Sequence, residues 1–216
     1  MSFGLCTMHT HDWRYMMKSF FSMFSRSLEE FKDIRSLTMT ALFIAISMII
    51  EKFTINLPLF KINFAFLAIA VIGMLCGPSV GFAAGMICDI VGFIANPTGG
   101  FMPVFTLIAG LQGLIYGVLL YHKQDKLSLF GLNDTKSMAI RAVIARLLDV
   151  VIINLLLNTF FAVKLGFIPD KTFSMVLSGK LVKNLLELAV DIPMLLALLP
   201  AALLAYKRTI TGRTAR

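Results

Sequence analysis

Gly92-Phe93-Ile94-Ala95-Asn96-Pro97-Thr98-Gly99-Gly100 ends one apolar run and leads, through Phe101, into the next. Upstream, Gly81, Gly85, Asp89, Gly92 and Asn96 step at intervals of four, four, three and four. That spacing places all five on one face of a helix. The loop that follows is rich in hydrogen-bonding groups and free in its backbone. Irregular polar backbone beside a bilayer is tolerated only where protein or a water-filled cavity covers it. The stretch therefore predicts two membrane helices joined by a loop that walls a binding site.

The bulk composition agrees with a membrane setting. Of 216 residues, 58% are hydrophobic and 15% charged, with a mean hydropathy of +0.84. Soluble domains carry about 25% charged and about 45–50% apolar residues. Aromatics are chiefly Phe, 19 against 4 Tyr and 1 Trp, and Phe packs in a lipid-facing shell without needing polar partners. Hydropathy predicts an all-α integral membrane protein with six transmembrane helices, at about 36–52, 63–77, 79–95, 103–121, 138–164 and 180–206. The second and third are short for a bilayer, which takes about 20 helical residues to cross. Only Gly77-Pro78 separates them, which favours two short tilted spans over a re-entrant pair.

The basic residues orient the chain. Arg14, Lys18, Arg26, Lys32 and Arg35 precede the first span, Lys123, Lys126 and Lys136 follow the fourth, and Lys207, Arg208, Arg213 and Arg216 follow the last. With six spans all three groups share one side, cytoplasmic by the positive-inside rule, so both termini are expected there. The opposite side has Lys52 and Lys61, then Lys164, Lys171 and Lys180. The net charge of +8 thus reflects topology and contact with anionic lipid, not nucleic-acid binding. Residues 1–35 read as a cytoplasmic tail whose Met17, Phe20, Phe21, Phe24, Leu28 and Phe31 form the apolar stripe of an interfacial helix. That stripe is too interrupted for a cleaved signal peptide. Residues 36–206 form the membrane domain and 207–216 a basic tail.

Charged and amide side chains recur at helical spacing in the later spans. Arg146 and Asp149 lie one turn apart, as do Asn154 and Asn158, while Lys180, Asn184, Glu187 and Asp191 step by four, three and four beside Lys183. A carboxylate near mid-membrane costs about 2.5–3.5 kcal/mol on insertion scales, so Asp89, Asp149 and Asp191 need partners or a wet cavity. Arg146 supplies a counter-ion, which makes an ion-pair network with Asp149 and Asp191 the expected arrangement. The outer Asn and Glu positions converge on the side of the 96–100 loop, where a binding role is expected. Glycines at 110, 113 and 117 point to close helix packing, and Gln112 to an interhelical hydrogen bond. Ala41 and Ala45 make a smooth step on the first span, with Thr38 and Met48 beside it.

Several activities lack their residues. No Walker A pattern is present, since Ser178-Gly179-Lys180 lacks the glycine required upstream. The nucleophile motif GxSxG and the zinc motif HExxH are absent. Cys6, Cys76 and Cys88 form no CxxC pair, and His9, His11 and His122 fall outside every span. No enzyme, metal or cofactor chemistry is expected. A channel would need a continuous polar stripe, whereas polarity here gathers at one end with a few central ionisable groups.

These residues carry a resemblance. Asp33-Ile34-Arg35-Ser36-Leu37-Thr38 before Ala41 and Ala45, the turn Leu75-Cys76-Gly77-Pro78, Asp89, Asn96-Pro97-Thr98-Gly99-Gly100-Phe101, Thr106 and Gly113-Leu114-Ile115-Tyr116-Gly117 resemble the substrate-binding S-component of energy-coupling factor (ECF) vitamin transporters. Within these, the folate (FolT-like) family is the nearest match, over about residues 33–206. The resemblance implies an S-component-like bundle in a bacterial cell membrane that captures folate at the outer face. It also implies delivery inward with a transmembrane coupling T-component, docked on Ala41 and Ala45, and two cytoplasmic ATPase subunits. The implied substrate site comprises Lys61, Asp89, Asn96, Pro97, Thr98, Gly99, Gly100, Phe101, Phe105, Asn154, Asn158, Lys180, Lys183, Asn184 and Glu187. There Asp89 or Glu187 would read the pterin edge, Phe101 or Phe105 would flank the ring, and the lysines would meet the glutamate tail. Alternatives are an S-component for hydroxymethylpyrimidine, pantothenate or another vitamin, or more remotely a small channel or adaptor.

Overall fold

The computed structural model describes residues 21–52, 55–56, 61–62, 64–97, 100–121, 134–166 and 173–214. In order these form α1 (21–29, closed by a 3-10 turn at Glu30–Lys32), α2 (Ile34–Lys52), β1 (Ile55–Asn56), β2 (Lys61–Ile62), α3 (Ala65–Cys76), α4 (Pro78–Ala95) and α5 (Pro103–Leu120). Then come α6 (Asp134–Leu148), π-helical turns at Asp149–Leu157, α7 (Asn158–Lys164) and α8 (Phe173–Thr214). The all-α expectation stands, with a two-residue antiparallel ladder added, pairing Ile55 with Ile62 and Asn56 with Lys61.

The six expected segments all appear as helix, the fifth as the continuous run from α6 through the π-turns to α7. Four helices are long and apolar enough to cross a bilayer, at 34–51, 78–95, 103–120 and 177–206. α3 rises only about 18 Å over its length. It is apolar on every side, as a helix wrapped in protein should be, and every residue from Phe66 to Cys76 is buried. The surrounding helices keep Leu42, Ile49, Ile94, Leu107, Leu185 and Leu204 exposed on their outer faces. Apolar patches on that scale suit a lipid-facing surface. α8 is longer than hydropathy suggests and runs through Pro193 and Pro200.

α4 and α5 both begin with proline, which fits the first turn of a helix because no hydrogen bond is lost there. They pack backbone to backbone. A Cβ on Gly81 would sit 2.5 Å from the carbonyl oxygen of Gly113, and one on Gly113 would overlap the carbonyl of Gly81. Such contact permits the close crossing that small residues give membrane helices. Between α3 and α4, Gly77 takes φ 86°, a conformation costly for any other residue type.

α1 turns Met23, Ser27 and Glu30 into the protein and leaves Phe21, Leu28 and Phe31 outside. Met17 and Phe20 of the expected stripe lie outside the described residues. Ser27 Oγ donates to the Cys76 carbonyl (2.9 Å) and accepts from the amides of Ser79 (2.9 Å) and Val80 (3.3 Å). It thus caps α4 from a helix fifty residues away, where orphan amides otherwise need partners. Glu30 accepts from the Ser36 hydroxyl and from Tyr121 Oη (3.5 Å), tying α1 to the ends of α2 and α5. Ser27→Ala should cost about 1–3 kcal/mol, because buried donors and an acceptor lose their partner. Thermal melting in detergent should show a clear drop for this variant, with exposed Ser25→Ala as the unaffected control.

Candidate functional site

Five helices and the α6–π run enclose a cavity of about 540 Å³. α2 contributes Ser47, Met48 and Glu51, and α3 contributes Ala65, Phe66 and Ile69. α4 supplies Gly85, Cys88, Asp89, Gly92, Phe93 and Asn96, so the Gly-stepped face read from the sequence looks into it, apart from Gly81, which packs on α5. From α5 come Ala109 and Gln112, from the α6–π run Arg146 and Asn154, and from α8 Lys183, Glu187 and Asp191. Eight helical residues separate Lys183 from Asp191, a depth of about 12 Å.

At the inner end the carboxylates are fixed by one guanidinium. Arg146 donates through Nε (3.2 Å) and Nη2 (2.5 Å) to Asp191 Oδ2, and through Nη1 to Asp149 Oδ2 (2.5 Å) and Tyr116 Oη (3.2 Å). Gln112 Nε2 and Tyr116 Oη each donate to the same Asp149 oxygen at 3.1 Å. The guanidinium also lies 3.9 Å from the centre of the Phe66 ring, a cation–π contact. The sequence-level expectation of an Arg146–Asp149–Asp191 network and of a bridging Gln112 is realised here. Further out, Thr106 Oγ1 donates to Asp89 Oδ2 (2.6 Å), and Lys183 Nζ pairs with Glu187 Oε1 (3.4 Å).

The cavity thus gathers five of the substrate residues expected from the sequence: Asp89, Asn96, Asn154, Lys183 and Glu187. Asn158 and Lys180 are half-buried and Asn184 is buried, but none of the three lines it. Pro97 and Gly100 are exposed, and Phe101 stacks on cavity-lining Phe93 with ring centres 5.2 Å apart. Phe105 is half-buried away from the cavity. Lys61 is placed by its backbone in the β1–β2 ladder, while its side chain, Thr98 and Gly99 lie outside the described residues.

The register differences have causes. On α8 the cavity face is 183, 187, 191, a strict four-residue step. The residues 180, 184, 187 and 191, spaced by mixed fours and threes, share that face only at 187 and 191. In the fifth segment the π-turns at Asp149–Leu157 change the angular step per residue from that of an ordinary helix. Asn154 lines the cavity and Asn158 does not. Ser47, Met48, Glu51, Gln112, Arg146 and Asp191 were not expected as site residues. Ser47 and Glu51 step by four on α2, on the side opposite Ala41 and Ala45. The alanine face is exposed, whereas Met48, expected on it, turns inward.

Among the described residues no group of three His, Cys, Asp or Glu side chains is placed to hold a metal ion. The cavity walls combine carboxylate and amide acceptors with Phe66 and Phe93, a lining suited to a flat, donor-rich small molecule. A helical bundle with several apolar helices around a polar cavity defines a ligand-binding membrane protein. Residues 35–199 match the family model for the ECF transporter, substrate-specific component, and the chain belongs to that family. It is 27% identical to a folate transporter FolT of Clostridium novyi (strain NT) over 154 residues, 71% of this chain and 81% of that one. A folate transporter FolT of Leuconostoc mesenteroides is also 27% identical, over 163 residues covering 74% and 82%. Among solved structures, a crystal structure of FolT bound with folic acid superposes with a TM-score of 0.60. It shares 25% identity and covers 76% of this chain and 91% of that one.

Proposed function

We propose that this chain binds folate at the outer face of a bacterial cell membrane and delivers it inward without catalysing a reaction. The observation that carries the reading is the likeness to FolT bound with folic acid, in a chain whose cavity has carboxylates and aromatic rings on its walls. Asp89, Asn96, Asn154, Lys183 and Glu187 are the proposed ligand contacts within the cavity. Residues 97–101, Phe105, Lys61, Lys180, Asn158 and Asn184 are the proposed surroundings of its mouth, where an anionic glutamate tail meets basic side chains. Energy comes from elsewhere, since the chain has no Walker A pattern. The exposed Ala41–Ala45 face of α2 is the proposed seat of a transmembrane coupling protein working with two cytoplasmic ATPases. Both termini are proposed to be cytoplasmic, with α1 at the inner membrane surface.

Isothermal titration of folic acid into the detergent-purified chain tests the binding claim, with thiamine and riboflavin as controls. Tight one-to-one binding of folic acid alone is expected. Absence of heat together with an unshifted melting temperature would remove folate and leave the fold standing.

A further inference from the structure

We propose that Asp191 and Gln112, at the inner end of the cavity, form the acceptor pair that selects the 2-amino-4-oxo edge of a pterin. Arg146, Asp149 and Tyr116 act as positioning residues behind them. The inference rests on the folate reading and says which groups determine specificity within it.

Both Arg146 bonds to Asp191 fall on Oδ2, while Oδ1 accepts none among the described residues although Asp191 lines the cavity. Gln112 is held in the same way. Its amide nitrogen is committed to Asp149 at 3.1 Å, which leaves the carbonyl oxygen as the free end of a side chain that also lines the cavity. The two acceptors are joined through Asp149 and Arg146, and Arg146 itself is 5% exposed and stacked on Phe66. Acceptors whose geometry is fixed before the ligand arrives give more affinity than mobile ones. Asp89, with one hydroxyl donor, and Glu187, with one lysine at 3.4 Å, lack that support. A pterin offers two adjacent donors, the ring N3–H and the 2-amino group, and the inner end of the cavity offers two held acceptors, Asp191 and Gln112. The triad also holds two carboxylates against one guanidinium, so its residual charge is negative and favours donors over a carboxylate tail. The rigid ring is thereby directed inward and the glutamate outward.

The test is a ligand-by-variant cycle. Folic acid and its 2-deamino analogue, with hydrogen in place of the amino group, are titrated into the native chain, Asp191→Asn and Gln112→Met. In the native chain the analogue should bind about 10- to 100-fold more weakly, the range for hydrogen bonds to charged acceptors. In Asp191→Asn the new amide must turn its carbonyl to Arg146 and its NH₂ into the cavity. The preference for folic acid should then shrink to within about threefold, or reverse, as the charged hydrogen bond disappears. A merely structural Asp191 would weaken both ligands equally and leave the preference at its native value, which would overturn the assignment. If Asp191→Asn does not yield folded protein by melting in detergent, Gln112→Met tests the acceptor for the ring N3–H: both ligands should weaken together with the preference kept, and unchanged affinity for folic acid would overturn the assignment. A native chain that binds neither ligand would overturn the folate reading itself, which is a different result from unchanged selectivity.

Discussion

Gly113→Val is expected to abolish folding. The Cβ of any residue at 113 lands on the carbonyl of Gly81, and the reverse approach, from Gly81 to the Gly113 carbonyl, is 2.5 Å. Those neighbours are backbone atoms within helices, so no side chain can rotate away. The same crossing continues where Gly85 meets the Ala109 carbonyl and where a Cβ on Gly117 would lie 2.6 Å from the nitrogen of Pro78. Relief requires α4 and α5 to separate along their length. In a membrane there is no hydrophobic gain between helices to offset that separation, because association depends on packing itself. Overpacking a core ordinarily costs about 1–3 kcal/mol, and a clash against two helical backbones should exceed about 4 kcal/mol. Against a total stability of about 5–15 kcal/mol that is decisive. Size-exclusion profiles and melting in detergent check it, with Gly179→Ala as the matched control. Among the described residues nothing lies within 4 Å of the Cβ position at Gly179, so alanine there should leave melting unchanged or slightly raised. A Gly113→Val protein that melts like the native chain would show that this crossing contributes little.

The glycine face of α4 was legible because a strict helical repeat leaves one reading, and the structure turns most of it to the cavity and its inner end, at Gly81, to α5. The network of Arg146, Asp149 and Asp191 was legible for a similar reason, since isolated charges in apolar segments require one another. The contribution of α2 was not. Ser47 and Glu51 share a helix with an exposed alanine step, and composition alone does not say which side of a mostly apolar helix looks inward. Nor was the π-helical stretch visible, because Asp149–Leu157 has no sequence mark that separates it from ordinary helix. α3 was recognisable as apolar and short, but its place at the centre of the bundle depends on every neighbour at once.

Arg146→Met should be the most damaging single change in the cavity wall, even though methionine fills much of the same space. Arg146 is the sole cation bonded to both Asp149 and Asp191 among the described residues, and those two carboxylates are 0% and 2% exposed. Removing it leaves two buried acids without their counter-ion, a loss of about 3–5 kcal/mol for a broken buried pair. The cost arises from the orphaned carboxylates more than from the missing attraction, which gives the prediction its internal check. Adding Asp149→Asn and Asp191→Asn to Arg146→Met removes the stranded charge and should recover a large part of the melting temperature. Folate affinity should stay low in that triple variant, because the Asp191 carboxylate is gone and Gln112 is no longer oriented. Thermal melting and titration on the same samples separate the two effects. Full stability in Arg146→Met alone would mean that the acids are satisfied without the guanidinium. Recovery of both melting and affinity in the triple variant would mean that the floor serves only the fold. Stability and ligand selection are expected to part at this one arginine, since the membrane demands charge balance while the ligand demands direction.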